Sequence, residues 1–393
     1  MAGKLEGEFR HLKLYYSVTM QIFQNLPAVK RHEIVFDPRR NSIGFLRLVL
    51  ALAVIFAHAF ELGGFGNDPI YHLSHDLYSS GAFAVDGFFA LSGYLITSSY
   101  LRLKSLPQFL WHRVLRLFPA YWVYLVVIGL GLPLMFGVAP SVNYILYNFL
   151  GPASNLCIIT IGAWLALFWG WLVDLGHIQD KVFLVKGASS IPPLFSHNPM
   201  PDAINGSLWT LEPEFRVYMI IGLLGLLGLL RKNITLGLLV LVWVGYLFYF
   251  RQHPDLRMVA SIRLPAHFLA GAVFYFWQPP LNRTLAFVAF AIAAIALIGG
   301  FYPLVSPLTT VYLLFWLAAV LPFPTIGKTR DYSYGLYIYA FPVQQTIAAY
   351  HLNQGGWFIY FLLSLAFTLP LAAASWHLIE KPALKMKDAF AKH

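Results

Sequence analysis

Ten mostly apolar stretches recur along the chain, each about as long as a helix needs to cross a ~30 Å hydrocarbon layer. They fall near 43–62, 81–99, 114–137, 206–230, 234–250, 263–278, 284–302, 304–322, 332–350 and 357–379. The joints between them set a direction, because basic residues favour the cytosolic side. Arg39 and Arg40 precede the first stretch, and Arg102, Lys104, His112, Arg113 and Arg116 follow the second. Arg231, Lys232, Arg283, Lys328 and Arg330 then fall in alternate joints, and Lys381, Lys385, Lys387 and Lys392 close the chain. The pattern predicts an all-α polytopic integral membrane bundle of about ten transmembrane helices with both termini cytosolic. Residues 1–40 read as a basic cytosolic leader, 41–385 as the membrane domain and 386–393 as a cytosolic tail.

One stretch resists this scheme. Leu156 to Leu175 is apolar enough to span, but counting it would turn the Arg231-Lys232 joint outward, so 138–206 reads as a re-entrant or interfacial segment with an outer loop. Arg251, Arg257 and Arg263 fall outside against the charge bias, where an anionic acceptor or lipid headgroups would meet them.

Composition narrows the class. The chain is 59% hydrophobic and 11% charged, against roughly 25% charged in soluble domains. Its net charge of +10 is spread between apolar segments, which suits loops facing anionic lipid and not a nucleic-acid face. Cys157 is the single cysteine, so neither an internal disulfide nor a Cys/His zinc site is expected, and no metal is called for. The first 40 residues lack the short apolar core and small-residue cleavage site of a signal peptide.

Chemistry enters with charges inside the spans. Arg47 and His58 are eleven residues apart in the first stretch, which is about three helical turns, so they share a face roughly 16 Å apart. Ionisable groups in a bilayer by default suggest function; the plainer alternative is a snorkelling arginine and a histidine bonding between helices. At 1.5 Å per residue, His58 lies about 8 Å, Asp86 about 7 Å and Glu214 about 12 Å below the outer surface, one shared level. Arg47 lies about 6 Å from the inner surface, with Arg113 and Arg116. The layout suggests a histidine base oriented by Asp86 or Glu214 and an anion clamp for phosphates. A long donor such as an acyl coenzyme A would span the ladder.

Several residues keep two readings. Phe88-Phe89 and Ser92-Gly93 form either a packing face or a donor-channel wall. Arg113 and Arg116 are clamp or membrane anchors, and Trp209 is an interfacial belt residue or an acceptor contact. Glu212 is solvated or paired with Arg216, and Arg216 also rivals His58 as the partner of Glu214. A transporter using the same charges as a relay is the alternative function, although no second copy of the Arg47–His58 pattern marks a repeated half.

The Arg47–His58 spacing resembles the Arg-x10-His motif of the acyltransferase 3 family, integral-membrane acyltransferases of bacterial surface polysaccharides, lipopolysaccharide and antibiotics. Val85 to Ile96 is similar to its Phe-Phe-x-x-Ser-Gly-Phe signature, and Arg113 to Pro119 to its Arg-x-x-Arg-x-x-Pro. Ser207 to Glu214 is similar to its Ser-Leu-Trp-Thr-Leu-x-x-Glu, and Tyr332 to Tyr337 and Glu380-Lys381-Pro382 to its closing motifs. The resemblance implies transfer of an acyl group, with acetyl-CoA the expected donor, to a hydroxyl of a glycan or lipid-linked sugar at a bacterial cytoplasmic membrane. It places His58, Asp86 and Glu214 in catalysis. Arg47, Arg113, Arg116, Phe88, Phe89 and Ser92 would meet the donor, and Ser207, Trp209 and Arg216 the acceptor. Many members carry histidine where this chain has Ala340, so that segment is assigned no catalytic role. The family's frequent fused hydrolase-like domain is not expected before His393, which leaves acceptor choice to the membrane domain, its loops or a partner. The oligomeric state stays open.

Overall fold

A computed structural model describes residues 34–137, 194–201, 203–252 and 260–390. Most of the leader, residues 138–193 of the re-entrant segment, Cys157, Arg257 and the last three residues lie outside the described residues. Ten long helices follow one another: α1 Ile43–Gly63, α2 Ser80–Leu103, α3 Leu106–Met135, α4 Leu211–Leu226, α5 Lys232–Gln252, α6 Ala260–Trp277, α7 Arg283–Ile298, α8 Tyr302–Val320, α9 Ser333–Ala349 and α10 Trp357–Ser375. The only strand-like pairing among the described residues is an isolated bridge between Ile34 and Leu281, so the chain is all-α.

Among the described residues six helices are long and apolar enough to cross a membrane: α1, α2, α3, α5, α8 and the α10 run. The other four depart from the simple pattern for physical reasons. α9 has 17 residues, and nearly all of them are buried, including Gln344 and Gln345. A helix wrapped by protein needs no lipid-facing surface, so its polar content is tolerated. α7 is the opposite case, burying only Ala286 and Ala296. α6 carries Arg263 and His267, and α4 starts late, at Leu211.

α1 packs against α2, α9 and α10, and the most extensive pair is α2 with α6. Two glycines explain that pair. A Cβ on Gly93 would collide with the carbonyl oxygen of Phe268, and one on Gly271 with that of Ala90, so the two backbones touch directly. Pro119 is expected in the first turns of its helix; α3 instead begins at Leu106, which puts Pro119 near the middle. The described end of the leader is docked, with the Phe36 ring edge-on to Tyr94 and Phe315 at 5.4 and 5.3 Å. The tail is docked too, where the Trp111 indole N–H donates to Met386 O at 3.0 Å.

The stretch before α4 shapes the site. Asn198 Nδ2 donates to Gln345 Oε1 at 2.7 Å, whereas Asn205 Nδ2 donates to Ile338 O at 2.8 Å and to the Tyr124 hydroxyl at 2.9 Å. The chain therefore descends two turns of α9 inside the bundle before a 3-10 turn, Gly206–Thr210, leads into α4. Irregular backbone is tolerated at that depth because protein groups satisfy it.

Candidate active site

Arg47 is held where α1, α3 and α9 meet. Its Nη1 donates to Asp331 Oδ2 at 2.8 Å, and Arg116 Nη2 donates to the same oxygen at 2.6 Å. Arg116 Nη1 reaches Glu380 Oε2 at 3.1 Å, and Ser375 Oγ donates to Glu380 Oε1 at 3.0 Å. Glu380 arrives there on a π-helical turn, Trp376–Glu380, that continues α10. The backbone N–H and hydroxyl of Ser333 donate to Asp331 Oδ1 at 3.2 and 2.5 Å. Burial alone would raise the pKa of Asp331, but Arg47, Arg116 and the Ser333 bonds outweigh it and hold the carboxyl at about 2. Arg47 and Arg116 are thus matched by carboxylates.

Arg113 is not. Its guanidinium lies over the rings of Phe109 and Tyr218 at 5.8 and 5.9 Å and approaches Ser99 Oγ at 3.5 Å. Its Nε is buried with no hydrogen-bond partner. These groups wall a cavity of about 100 Å³ that Arg47, Arg113, Arg116, Phe88, Phe89 and Ser92 all line, together with Glu214 and Tyr337. The six residues expected around the donor are therefore gathered in one place. Gly93 takes the other of its two readings, a packing face, against α6.

Thr210 and Tyr337 on the cavity wall belong to a knot of hydrogen bonds. The Tyr337 hydroxyl donates to Ser207 O at 2.8 Å and lies 2.5 Å from Thr210 Oγ1. One turn further along α9, the Phe341 ring stands 5.1 Å from the His58 ring, edge to face. Gly206 fits there because a Cβ would meet Phe341. His58 Nδ1 is fully buried without a partner, as is Ser207 Oγ.

The expected dyad is not formed. Asp86 Oδ2 lies 3.3 Å from Arg263 Nη1 and 3.4 Å from His267 Nε2, and His267 Nδ1 contacts Arg263 O at 2.9 Å. The close α2–α6 contact turns Asp86 away from α1, so it reaches neither α1 nor His58. Arg263, expected to face lipid or an acceptor, is only 3% exposed and balances Asp86. Glu214 is not on the His58 level. It lines the arginine cavity and accepts a hydrogen bond from the Tyr218 hydroxyl. The depth was misjudged because α4 begins inside the bundle, after the 3-10 turn, and not at its surface. Nor does Glu214 pair with Arg216, which is exposed and bound to Glu212 one turn earlier. Trp209 is half-buried against the core.

Sequence reasoning passed over Asp331, Glu380, Tyr218 and Tyr337. A signal existed: three arginines at one depth require carboxylates, and Glu380 and Tyr337 sit in the closing motifs, with Asp331 one residue before them. Among the described residues no group of His, Cys, Asp or Glu is arranged to hold a metal ion.

A multi-helix membrane-type bundle with an arginine-walled cavity and a half-buried histidine on the helix that carries Arg47 suits a class, that of membrane-embedded group-transfer proteins. The chain belongs to the acyltransferase 3 family and is an acyltransferase: the family model, described as an acyltransferase domain, matches residues 40–377. It is similar to an O-acetyl transferase of Shigella phage Sf6, with 28% identity over 87% of this chain and 96% of that protein. It is similar as well to Nodulation protein 10 of Rhizobium leguminosarum bv. viciae, with 28% identity over 89% of this chain and 95% of that protein. No solved structure matches the chain.

Proposed function

We propose that the protein is an O-acyltransferase of the bacterial cytoplasmic membrane, with ten spans and both termini cytosolic. It takes an acyl group, acetyl in the simplest case, from cytosolic acyl-CoA and passes it to a hydroxyl of a cell-surface glycan or its lipid-linked precursor. The observation that carries this reading is the cavity: Arg113 on its wall has an unmet donor, and Tyr337 on its wall stands one helical turn from Phe341, whose ring meets His58. Arg113, the cavity arginine without a carboxylate partner, suits a phosphate of the donor at the cavity mouth, and about 100 Å³ suits the acyl thioester end, with the nucleotide outside.

In the reaction, Nε2 of His58 accepts the proton of the acceptor hydroxyl as its oxygen attacks the thioester carbonyl. The C–O bond forms, the C–S bond breaks, and the proton passes to the departing thiolate. Phe88, Phe89 and Ser92 line the acyl path, Ser207 and Trp209 stand on the acceptor side, and Arg216 serves the fold through Glu212. Asp86 and Glu214 act away from the base. The Tyr337–Ser207–Thr210 knot separates donor cavity and base, so it opens when the thioester advances.

The test uses the full chain in lipid nanodiscs. His58→Ala abolishes transfer of radiolabelled acetyl to a bacterial envelope glycan fraction, while acetyl-CoA binding by calorimetry stays within about twofold. Turnover above a tenth of the parent rate overturns the base assignment.

A further inference from the structure

His58 lacks a carboxylate, yet a histidine base works best when its other ring nitrogen is held by an acceptor that fixes the tautomer. Nδ1 is fully buried and unpartnered, although the residue as a whole is only half-buried. The accessible part of the residue therefore lies away from Nδ1. A buried N–H without an acceptor is costly, so a partner is expected nearby.

The opposite face of α9 supplies a candidate. Gln344 is fully buried, and its Nε2 donates to the carbonyl oxygen of Ile55 at 3.0 Å. Ile55 is three residues before His58, on the same side of α1. Long helical side chains lean back over the preceding turn, so the His58 ring comes down toward that same turn. Phe341, three residues before Gln344, has its ring 5.1 Å from the His58 ring. Ala340, one turn before Gln344, packs on Ile55 and completes the face that α9 presents to α1. With its Nε2 engaged, Gln344 has one unused group, Oε1, which is buried with no hydrogen-bond partner. An orphaned acceptor and an orphaned ring nitrogen thus occupy the same pair of helical turns. Each is what the other lacks.

We infer that Gln344 is the positioning residue of the base: its Oε1 accepts the hydrogen bond of His58 Nδ1–H, with at most one water between them, and so leaves Nε2 as the proton acceptor. The two atoms are not bonded in this structure; in the proposed arrangement the imidazole turns toward Oε1 or a water bridges the pair. The backbone anchors on both sides fix the amide. Nε2 is tied to α1, and the carbonyl of Gln344 accepts from the Tyr360 hydroxyl at 2.7 Å.

This inference rests on the reading of His58 as base, and the test separates the two. Gln344→Glu keeps an acceptor toward Nδ1 but loses the donor to Ile55, whereas Gln344→Leu loses both. Thiol release from acetyl-CoA is measured in nanodiscs, with the envelope glycan fraction as acceptor probe. Gln344→Leu is expected to lower kcat about 100-fold or more with KM for acetyl-CoA unchanged, and Gln344→Glu to stay within about tenfold of the parent. Adding His58→Ala to Gln344→Leu costs no more than His58→Ala alone. If Gln344→Leu is not recovered as monodisperse protein, Gln344→Met takes its place. Equal loss in the acidic and apolar variants, or parent rates in both, overturns the inference while leaving the base in place. Residual turnover in His58→Ala overturns the base first.

Discussion

Two buried charge clusters sit on different sides of α2, and they cover the cost of burial in different ways. At the arginine cavity, Asp331 and Glu380 meet Arg47 and Arg116 with short bonds, and a cavity opens beside the one arginine left short of partners. Between α2 and α6, Asp86, Arg263 and His267 form a closed knot that leaves Asp86 Oδ1, Arg263 Nε and the hydroxyls of Tyr78 and Tyr246 without partners. His267 Nε2 is within ion-pair distance of Asp86 but is not aligned for a hydrogen bond. Such a set of orphaned atoms calls for internal water. Both clusters break the rule against charge in a membrane, and a cavity adjoins the arginine cluster. A buried charge marks function when a cavity adjoins it; without one it marks the joint between two helices.

Replacing each cluster with apolar residues tests that distinction most strongly. Asp86→Leu alone strands Arg263 and should cost about 3–5 kcal/mol of stability, as should Asp331→Leu, which strands Arg47 and leaves Arg116 with Glu380 alone. Asp86→Leu combined with Arg263→Met removes both charges and should return melting in detergent to near the parent value, with transfer retained. Asp331→Leu combined with Arg116→Met should recover part of the stability and no transfer. Loss of transfer in the folded Asp86 double variant would move that knot into the catalytic machinery.

Arg113 sharpens the comparison within the cavity itself. Charge-assisted bonds to phosphate contribute about 1.5–3 kcal/mol, so Arg113→Gln should weaken acetyl-CoA binding by up to about 100-fold. The loss should shrink as salt is raised. Stability should change little, because Arg113 makes no direct ion pair with a carboxylate and rests on Phe109, Tyr218 and Ser99. An unfolded variant, or one that binds the donor like the parent, would leave Arg113 as an anchor and no clamp.

The contrast between Arg113 and Glu214 also marks how far the sequence was legible. Helix content, the Arg47–His58 face and the grouping of Arg47 with Arg113 and Arg116 followed from spacing, because a continuous helix turns residue number into position; Phe88, Phe89 and Ser92 joined them only through the family resemblance. Glu214 and Asp86 went astray where that conversion fails. Depth counted from an assumed surface start is wrong for a helix that begins inside the bundle after irregular backbone. A residue's depth also says nothing about which neighbour its face meets; Gly93 and Gly271 decided that for Asp86. Asp331 escaped notice because it lies in a loop, and Gln344 because an amide carries no charge to flag it.

The smallest effect is a pH effect, and it isolates the charge on Asp331. Its carboxyl is held at about 2, below the ordinary aspartate value of 3.8, so the folded state binds the proton less readily than the unfolded chain. Its contribution is then fully present above about pH 4 and is lost as pH falls toward 2, amounting to about 2 kcal/mol. Asp331→Asn keeps the shape and removes the titration. Melting of parent and variant compared between pH 7 and 2.5 should show a constant gap down to about pH 4, narrowing below it. A gap that already narrows between pH 7 and 5 would mean that another acid holds Arg47 and Arg116 together, and the cavity cluster would lose the tight pairing that sets it apart from the knot between α2 and α6.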